Sequence, residues 1–133
     1  MTTLNLLPQK ECLNTPESPL AADLYSQAVK VGNTLYLSGL IGFTTERKFA
    51  GDSVEEQTEQ IFKNLHAVLN HAGADTTNVV QVRIFLADMS DYAAVNNIYK
   101  RVFSSNPPAR TCVAVSGLPF NAKVELEAIA LAP

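Results

Sequence analysis

A single arginine lies at the start of an apolar segment near the end of the chain. The stretch NPPARTCVAV, residues 106–115, places Arg110 between a double proline and a run that is typical of a buried strand. Because side chains alternate along a strand, Arg110 and Cys112 are predicted to share one face. Glu125 and Glu127 share a face of the next apolar segment in the same way. We expect the arginine and a glutamate to point into one apolar layer that faces another copy of the chain, where a charge is costly unless it is paired or used.

Two interpretations of this arrangement stay open. A guanidinium presents a planar fork of N–H donors that matches a carboxylate with two parallel hydrogen bonds. In the structural interpretation, Arg110 forms an ion pair with a glutamate across the sheet or across an interface. In the functional interpretation, it clamps a small carboxylate ligand and leaves the glutamate free for acid–base chemistry.

The other polar candidates carry weaker signals. His66 and His71 have no cysteine or carboxylate at ligand spacing, so no metal site is predicted. Cys112 is most simply a small buried apolar residue. Tyr25 and Asn96 either bind a ligand or serve as turn and helix-surface groups.

Composition limits the classes of function. The chain has 133 residues, 47% of them hydrophobic and 17% charged, which suits a single domain over residues 1–133 with a sizeable core. The net charge is −3 and the basic residues are scattered, which disfavours nucleic-acid binding. The two cysteines make no disulfide framework. With no leader sequence and no apolar run near the roughly 20 residues of a membrane span, we expect a soluble cytoplasmic protein.

The first half of the chain contains a hairpin signal and the strongest helix signal. Two extended runs flank a Gly-Asn turn at residues 32–33, which predicts a hairpin. Residues 53–73 predict a helix, because Ser53 and Glu56 form a capping box and Gly73 stands where a left-handed cap is expected. Its apolar stripe comprises Val54, Ile61, Leu65, Val68, Leu69 and Ala72.

The second half combines strands with a second helix. Residues 78–88 predict a strand, and residues 90–103 predict a helix that Ser90 caps and the following double proline ends. The apolar stripe of this helix comprises Tyr92, Val95, Tyr99, Val102 and Phe103. Strands follow from residues 110 and 123. Whether these two pair directly stays open, because GLPFN is short enough for a hairpin while an intervening strand is also possible.

The resulting order, ββ(β)–α–β–α–β–β, predicts an α/β or α+β layer with two helices on one face of a single sheet. The strand at 78–88 has apolar side chains for both faces: Val80, Val82, Ile84 and Leu86 on one, Val79 and Phe85 on the other. Two helices cannot cover both faces. Because another copy of the chain is the simplest cover, we expect a homo-oligomer with the sheets turned inward.

Several segments together resemble the Rid family, also called YjgF-type proteins. PARTCVAVSGLPFNAKVELEAIA, residues 108–130, resembles the family's C-terminal signature. LYSQAVKVGNTLYLSG at 24–39 is similar to its hairpin, and VRIFLADMSDYAAVNNIY at 82–99 is similar to its strand–helix unit. The helix from residue 53, with EQT and NL, is similar to the family's first helix, so the resemblance extends over almost the whole chain.

The resemblance implies a fold, an assembly and an activity. The fold is chorismate-mutase-like, with one mostly antiparallel sheet, and the assembly is a homotrimer with ligand clefts between subunits. The best-known branch, RidA, hydrolyses enamine and imine intermediates (2-aminoacrylate, 2-iminopropanoate and 2-iminobutanoate) to 2-oxo acids and ammonia, with no metal or organic cofactor. These intermediates come from pyridoxal-phosphate-dependent serine and threonine dehydratases. Other members have been described as endoribonucleases and translation inhibitors, and a non-catalytic metabolite-binding protein or a holdase also stays open.

The same resemblance implies roles for individual residues. Arg110 stands at the position of the arginine that binds the substrate carboxylate. Glu125 matches the water-orienting glutamate, and Tyr25 is expected to close the cleft. The remaining cleft positions correspond to Asn96, Cys112, Ser38 and Gly39.

Two departures from the family pattern lie near these positions. Asp23 and Leu24 precede Tyr25 where the family commonly has Gly-Pro, which bears on how the tyrosine loop closes. Leu40 follows the Ser-Gly pair where the family often has glutamine. The second departure removes a polar group and puts the substrate preference in doubt rather than the reaction class.

Overall fold

The computed structural model describes residue 7 and residues 9–133. Residues 1–6 and 8, on which part of the expectation about a leader sequence rests, lie outside the described residues. The helices and strands follow the predicted order: β1 (Lys10–Leu13), β2 (Ala28–Val31), β3 (Thr34–Leu40), α1 (Val54–His71), β4 (Val79–Leu86), α2 (Tyr92–Val102), β5 (Ala109–Ala114) and β6 (Val124–Leu131).

The described strands form one six-stranded sheet in the order β1-β2-β3-β6-β4-β5. All neighbours are antiparallel except β4 and β5, which are parallel and joined through α2. The last strand therefore lies in the middle of the sheet. β5 and β6 do not pair, because β4 lies between them, which resolves the question that the GLPFN connection left open.

Helix α1 forms for local reasons that the sequence already contains. Ser53 Oγ accepts a hydrogen bond from the Glu56 N–H at 3.0 Å, and the Glu56 carboxylate accepts from the Ser53 N–H at 3.3 Å. This confirms the capping box, a device worth about 1 kcal/mol. Gly73 follows the helix with φ +78°, as predicted for a left-handed cap. The predicted stripe is buried against the sheet, apart from Ala72, which is half-buried.

Helix α2 begins two residues later than the sequence predicts. The Asp88 carboxylate accepts from the Ser90 N–H at 2.8 Å and starts a short 3-10 turn over Met89–Asp91. The predicted cap at Ser90 is therefore wrong, because this residue lies inside the turn and the helix starts at Tyr92. On the helix itself, Ile98 is buried although it is absent from the predicted stripe, while Tyr92 is 40% exposed and reaches outward.

One face of β4 was predicted incorrectly at its first residues. Val79 is buried and Val80 is 43% exposed, the reverse of the expectation. A register shift between Val79 and Gln81 inserts a bulge, and a bulge reverses the alternation of side chains. Beyond it the pattern is as predicted: Val82, Ile84 and Leu86 are fully buried under the helices.

The second face of the sheet carries no helix in the described part of the chain. Tyr36, Phe85 and Ile129 lie on this open face, together with an ion pair of 3.1 Å between Arg83 and Glu127. A structural Arg–Glu pair across the sheet therefore exists, but Arg83 forms it. Neither helix of the described chain combines the length and apolar character needed to cross a membrane.

Candidate active site

Arg110 lies on the edge strand β5, and its side chain is on the helix-covered side of the sheet. The parallel register aligns Arg110 with Val82 and Cys112 with Ile84, two residues that are fully buried beneath the helices. Arg110 and Cys112 share a face, as predicted. The layer expected for Arg110 is wrong, however, because it does not point to the open face. The crossover through α2 sets the side on which β5 presents its alternate residues, and strand alternation alone cannot specify it.

Three side chains of α2 hold the guanidinium of Arg110. Its Nη1 donates to Asn96 Oδ1 at 2.7 Å, and its Nη2 donates to the Tyr92 hydroxyl at 3.1 Å. Its Cζ lies 4.7 Å from the centroid of the Tyr99 ring. Within the described residues, Arg110 has no carboxylate partner. Neutral acceptors and an aromatic face therefore fix the orientation of the guanidinium while its positive charge stays uncompensated.

Cys112 lies half-buried on the same strand face as Arg110 and packs against the core. Burial raises the pKa of its thiol, and the nearby Arg110 charge only partly offsets this. A thiol with a raised pKa is protonated at neutral pH and is a poor nucleophile. Cys112 is thus suited to be an apolar wall beside the guanidinium rather than an attacking group.

Glu125 lies on the open face of β6, in register with Phe85. It lines a cavity of about 70 Å³ together with Tyr25, Ser38 and Gly39. The Glu125 carboxylate forms no hydrogen bond or ion pair within the described residues. Partial burial raises its pKa, and repulsion by Glu127 raises it further. The result is a carboxylate that faces open space and binds a proton more readily than usual.

Gly39 leaves the space that this carboxylate occupies. A Cβ added at Gly39 would lie 2.8 Å from Glu125 Oε1 and 3.0 Å from its Cδ. We expect Gly39→Ala to displace the carboxylate and to slow any reaction that depends on it by about 10-fold or more, since a misplacement near 1 Å can cost about 100-fold. The thermal unfolding temperature should change little, because only the end of a flexible side chain must move.

Gly117→Ala provides the matched control, since nothing lies within 4 Å of the Cβ that it adds. Both variants are compared by steady-state kinetics and by thermal unfolding. Equal activity of the two variants would show that the position of the Glu125 carboxylate is not critical.

The loop that presents Tyr25 is fastened by buried hydrogen bonds. The Gln27 side chain accepts from the Thr15 N–H at 2.7 Å and donates to the carbonyls of Thr15, Ser18 and Pro19 at 2.9–3.0 Å. Ser38 Oγ donates to the Ser26 carbonyl at 2.7 Å. The Ser38 hydroxyl is therefore used to position the loop. Tyr25 itself is 53% exposed at the rim of the cavity.

The structure brings the predicted site residues together in two groups rather than one. Tyr25, Ser38, Gly39 and Glu125 form the Glu125 group on the open face, and Asn96, Arg110 and Cys112 form the Arg110 group on the helix side. Since neighbouring strands are about 4.8 Å apart, β5 and β6 are about 10 Å apart with the sheet between the two groups. One copy of the chain therefore does not join them. In the described part of the chain, no set of three or more metal-binding side chains is gathered.

Sequence reasoning missed several residues of these groups. The apolar pattern predicts Tyr92 and Tyr99 only as core residues, although Tyr92, Asn96 and Tyr99 recur at i, i+4 and i+7 and so must share one face of α2. Phe43 and Phe120 also line the cavity beside Glu125, with 5.1 Å between their ring centroids. They come from two distant loops, and no local pattern indicates that these loops meet.

Comparison with known proteins supports the resemblance that the sequence motifs carry. A model of the family described as Endoribonuclease L-PSP matches residues 15–132. The chain is 46% identical to Reactive Intermediate Deaminase A, chloroplastic, of Arabidopsis thaliana over 92% of this chain and 66% of that protein. It is 42% identical to 2-iminobutanoate/2-iminopropanoate deaminase of Rattus norvegicus over 92% of this chain and 90% of that protein.

A solved structure supports the same assignment at the level of the fold. The crystal structure of yeast Mmf1 matches with a TM-score of 0.91 and 38% identity, covering 94% of this chain and 100% of that one. The predicted fold class, one mostly antiparallel sheet with two helices on one face, is confirmed. The chain belongs to the Endoribonuclease L-PSP family, the Rid or YjgF-type proteins.

Proposed function

We propose that the protein is a hydrolytic deaminase that converts reactive 2-imino acids and their enamine tautomers to 2-oxo acids and ammonia. The proposed substrates are 2-aminoacrylate, its tautomer 2-iminopropanoate, and 2-iminobutanoate. The observation that carries the proposal is the guanidinium of Arg110, which α2 orients without neutralising it. Relatives at 41–46% identity whose names are those of deaminases of this kind support it.

In the proposed mechanism, Arg110 binds the substrate carboxylate. The guanidinium group donates two charge-assisted hydrogen bonds to the two carboxylate oxygens and thereby fixes the position of C2. Asn96 and Tyr92 occupy two N–H donors and leave the others for the ligand. Because these partners are neutral, they do not compete with the substrate for the positive charge. Cys112 forms the apolar floor beside the bound acid.

Glu125 then acts as the acid–base group. It orients a water molecule whose oxygen adds to C2 of the iminium, and the carboxylate takes the proton that the water loses. The protonated Glu125 returns this proton to the nitrogen. The C2–N bond then breaks while the C2 hydroxyl group loses its proton to the Glu125 carboxylate, which yields ammonia and a 2-oxo acid. The raised pKa of Glu125 suits both steps, because a group whose pKa lies closer to the working pH takes and returns a proton readily. Tyr25 closes the cleft and donates a hydrogen bond to the reacting group, and the backbone of Ser38 and Gly39 lines the opposite wall.

The proposed site requires more than one copy of the chain. The Arg110 group and the Glu125 group lie on opposite sides of one sheet, so a substrate can touch both only where two copies meet. The open face with Tyr36, Phe85 and Ile129 supplies the apolar surface for such contacts. We infer a homotrimer with the open faces inward and a cleft between each pair of neighbours, as the family resemblance implies.

Mixing two inactive variants tests the shared site directly. Arg110→Ala lacks one half of each cleft and Glu125→Gln lacks the other. In a randomly exchanged 1:1 mixture of cyclic trimers, about one quarter of the clefts receive both intact halves, so about a quarter of the parental activity should return. The measurement is ammonia release after co-refolding, with unexchanged variants mixed at the same concentrations as the control. Activity that stays at the level of the separate variants would mean that both groups act from one copy.

The proposed activity is tested by ammonia release from imines generated by a pyridoxal-phosphate-dependent serine or threonine dehydratase. Since free imines already hydrolyse in water, the expected result is a faster appearance of ammonia and 2-oxo acid when the protein is added at a fixed dehydratase rate. A rate that does not depend on the protein would overturn the proposal. The same assay, with the protein and the dehydratase together, would show that the protein acts on the product of these dehydratases.

The family description also names an endoribonuclease, which makes RNA cleavage the second candidate. The net charge of −3 disfavours it, and two of the basic residues, Arg83 and Arg101, are already in ion pairs. An RNA-binding titration at rising salt decides, because phosphate contacts lose affinity steeply with salt. A cytoplasmic location is likewise a proposal, tested by cell fractionation, since relatives include proteins named chloroplastic and mitochondrial.

A further inference from the structure

We propose that the cavity beside Glu125 receives the side chain of the substrate, and that Phe43 and Phe120 make it select 2-imino acids with large apolar side chains. Imines of leucine and phenylalanine belong to this class. The inference rests on the proposed deaminase function and adds the part of the substrate that lies beyond its carboxylate and C2.

Aromatic rings form one wall of this cavity. The Phe43 ring is buried and lies 4.7 Å from the Phe49 ring and 5.1 Å from the Phe120 ring, in tilted arrangements. Phe120 is 64% exposed, so most of its ring faces open space at the mouth of the cavity. An apolar side chain that enters here gains contact with ring surface that is otherwise exposed to water.

The backbone at Phe120 is strained, which sets it apart from an ordinary surface residue. Its φ is +57° and its ψ is +26°, in the left-handed region that a bulky residue rarely adopts. Asn121 follows with φ +58°. Strain of this kind concentrates at ligand clamps and is kept where the surrounding structure enforces it. Here the left-handed turn carries the Phe120 ring back against Phe43, over the cavity that Glu125 lines.

Three polar side chains around the cavity, those of Gln27, Ser38 and Asn64, are already used within the protein. The Gln27 amide is bonded to Thr15, Ser18 and Pro19, and the Ser38 hydroxyl is bonded to Ser26. The Asn64 amide donates to the Phe43 carbonyl at 2.8 Å and accepts from Gln60 at 3.0 Å.

The surface left for a guest side chain is therefore apolar away from Tyr25, Arg47 and Glu125, and it includes Leu40 at the position where the sequence departs from the family pattern. A polar side chain would lose its water there without finding a free partner among these amides and hydroxyls.

Arg47 is the charged residue that offers an alternative. It lines the same cavity, and an arginine there would suit an acidic side chain. Its Nη1 donates to the Leu20 carbonyl at 2.6 Å, however, and its Cζ lies 5.5 Å from the Phe43 centroid. These contacts hold the loop that contains Phe43 against the loop that contains Leu20, so we assign Arg47 a positioning role. We therefore favour substrates with apolar side chains over substrates with acidic ones.

The test compares imines made in place by an amino-acid oxidase from alanine, leucine and phenylalanine, with glutamate oxidase supplying an acidic imine. The parent protein should show a kcat/KM for the leucine or phenylalanine imine about 10-fold or more above that for the alanine imine, the scale that apolar pockets reach. Phe120→Gly should lower this ratio by about 10-fold. Glycine accepts the left-handed backbone, so the variant should fold. Met89→Ala, which truncates another exposed apolar residue outside both groups, should leave the ratio unchanged.

The outcomes separate this inference from the function on which it rests. No acceleration with any imine overturns the deaminase proposal and the inference with it. Acceleration of the alanine imine with a ratio that Phe120→Gly does not change overturns the inference alone. A preference for the glutamate imine also overturns it and would assign the side-chain contact to Arg47.

Discussion

Replacing Arg110 by alanine is expected to lower kcat/KM for 2-iminobutanoate by about 10²- to 10⁴-fold, because it removes two charge-assisted hydrogen bonds worth about 1.5–3 kcal/mol each. The substrate carboxylate would enter a site that still holds Asn96 and Tyr92 but has no cation. Arg110→Lys should recover only a small part of the loss, since an ammonium group cannot form the two-pronged contact. Both variants are measured by ammonia release with dehydratase-generated imines.

The fold and the assembly should survive this change. Arg110 is half-buried on an edge strand and its hydrogen-bond partners are neutral. Its removal therefore leaves no buried charge without a partner. Arg101→Ala is the matched control: this arginine belongs to α2 itself, is 65% exposed and is paired with Glu59 of α1 at 2.8 Å. The control should keep parental activity. Parental activity in Arg110→Ala would show that this guanidinium does not bind the substrate.

Replacing Glu125 by glutamine is expected to lower kcat by about 10²- to 10⁴-fold, the contribution typical of a positioned acid–base group. Glutamine keeps the size of the side chain and cannot take the proton from water. Unlike most losses of function, this one should not reduce stability. Burial and Glu127 disfavour the charged form of Glu125, so at neutral pH the ionised carboxylate destabilises the folded state.

The sign of this linkage can be measured. Because the pKa of Glu125 is raised in the folded state, its proton binds more tightly there than in the unfolded chain. The penalty is therefore present above the raised pKa and disappears as the pH falls through it. Glu125→Gln should unfold at an equal or higher temperature than the parent at neutral pH, and this advantage should shrink in acid. A clear loss of stability at neutral pH would contradict the assigned cause of the shift.

The same shift predicts the pH dependence of activity. A base must be ionised, so the acid limb of the kcat/KM profile should lie above the usual range of a glutamate. Glu127→Gln removes the repelling charge and leaves Arg83 unpaired on the same face, and both changes favour the ionised form of Glu125. The limb should then move to lower pH. An unmoved limb would mean that another group controls it.

The parts of the fold that the sequence predicts well are those decided by neighbouring residues. Ser53 and Glu56 lie one turn apart, and their capping box requires nothing from the rest of the protein. The start of α2 was misplaced because two local signals compete, and the carboxylate of Asp88 prevails over the hydroxyl of Ser90. The reversal at Val79 and Val80 depends on a bulge in the pairing with β6, which is more than 40 residues away. No periodicity within β4 contains that information.

In the candidate site, too, the sequence predicts the features that neighbouring residues decide and not those that depend on the whole fold. Strand alternation places Arg110 with Cys112 and Glu125 with Glu127, as the structure has them. Whether these two pairs face the same layer depends on the order in which β6, β4 and β5 lie in the sheet, which is a property of the whole chain. The family resemblance supplied the roles of these residues, and the structure adds the contacts that hold them. Neither strand alternation nor the family resemblance predicts the contact between Phe43 and Phe120, because two loops far apart in sequence create it.

The central place of β6 has a consequence for how the molecule acquires its structure. β6 pairs with β3 on one side and β4 on the other, so the hairpin of β2 and β3 has no strand pairing with the β4–β5 unit until β6 inserts between them. Such late, long-range closure slows the folding reaction, and every earlier intermediate exposes two unpaired strand edges. Amide protons of β6 should accordingly be among the last to exchange with deuterium, at a rate set by global unfolding. The strand that carries the proposed acid–base group is thus also the one that makes the sheet a single cooperative unit.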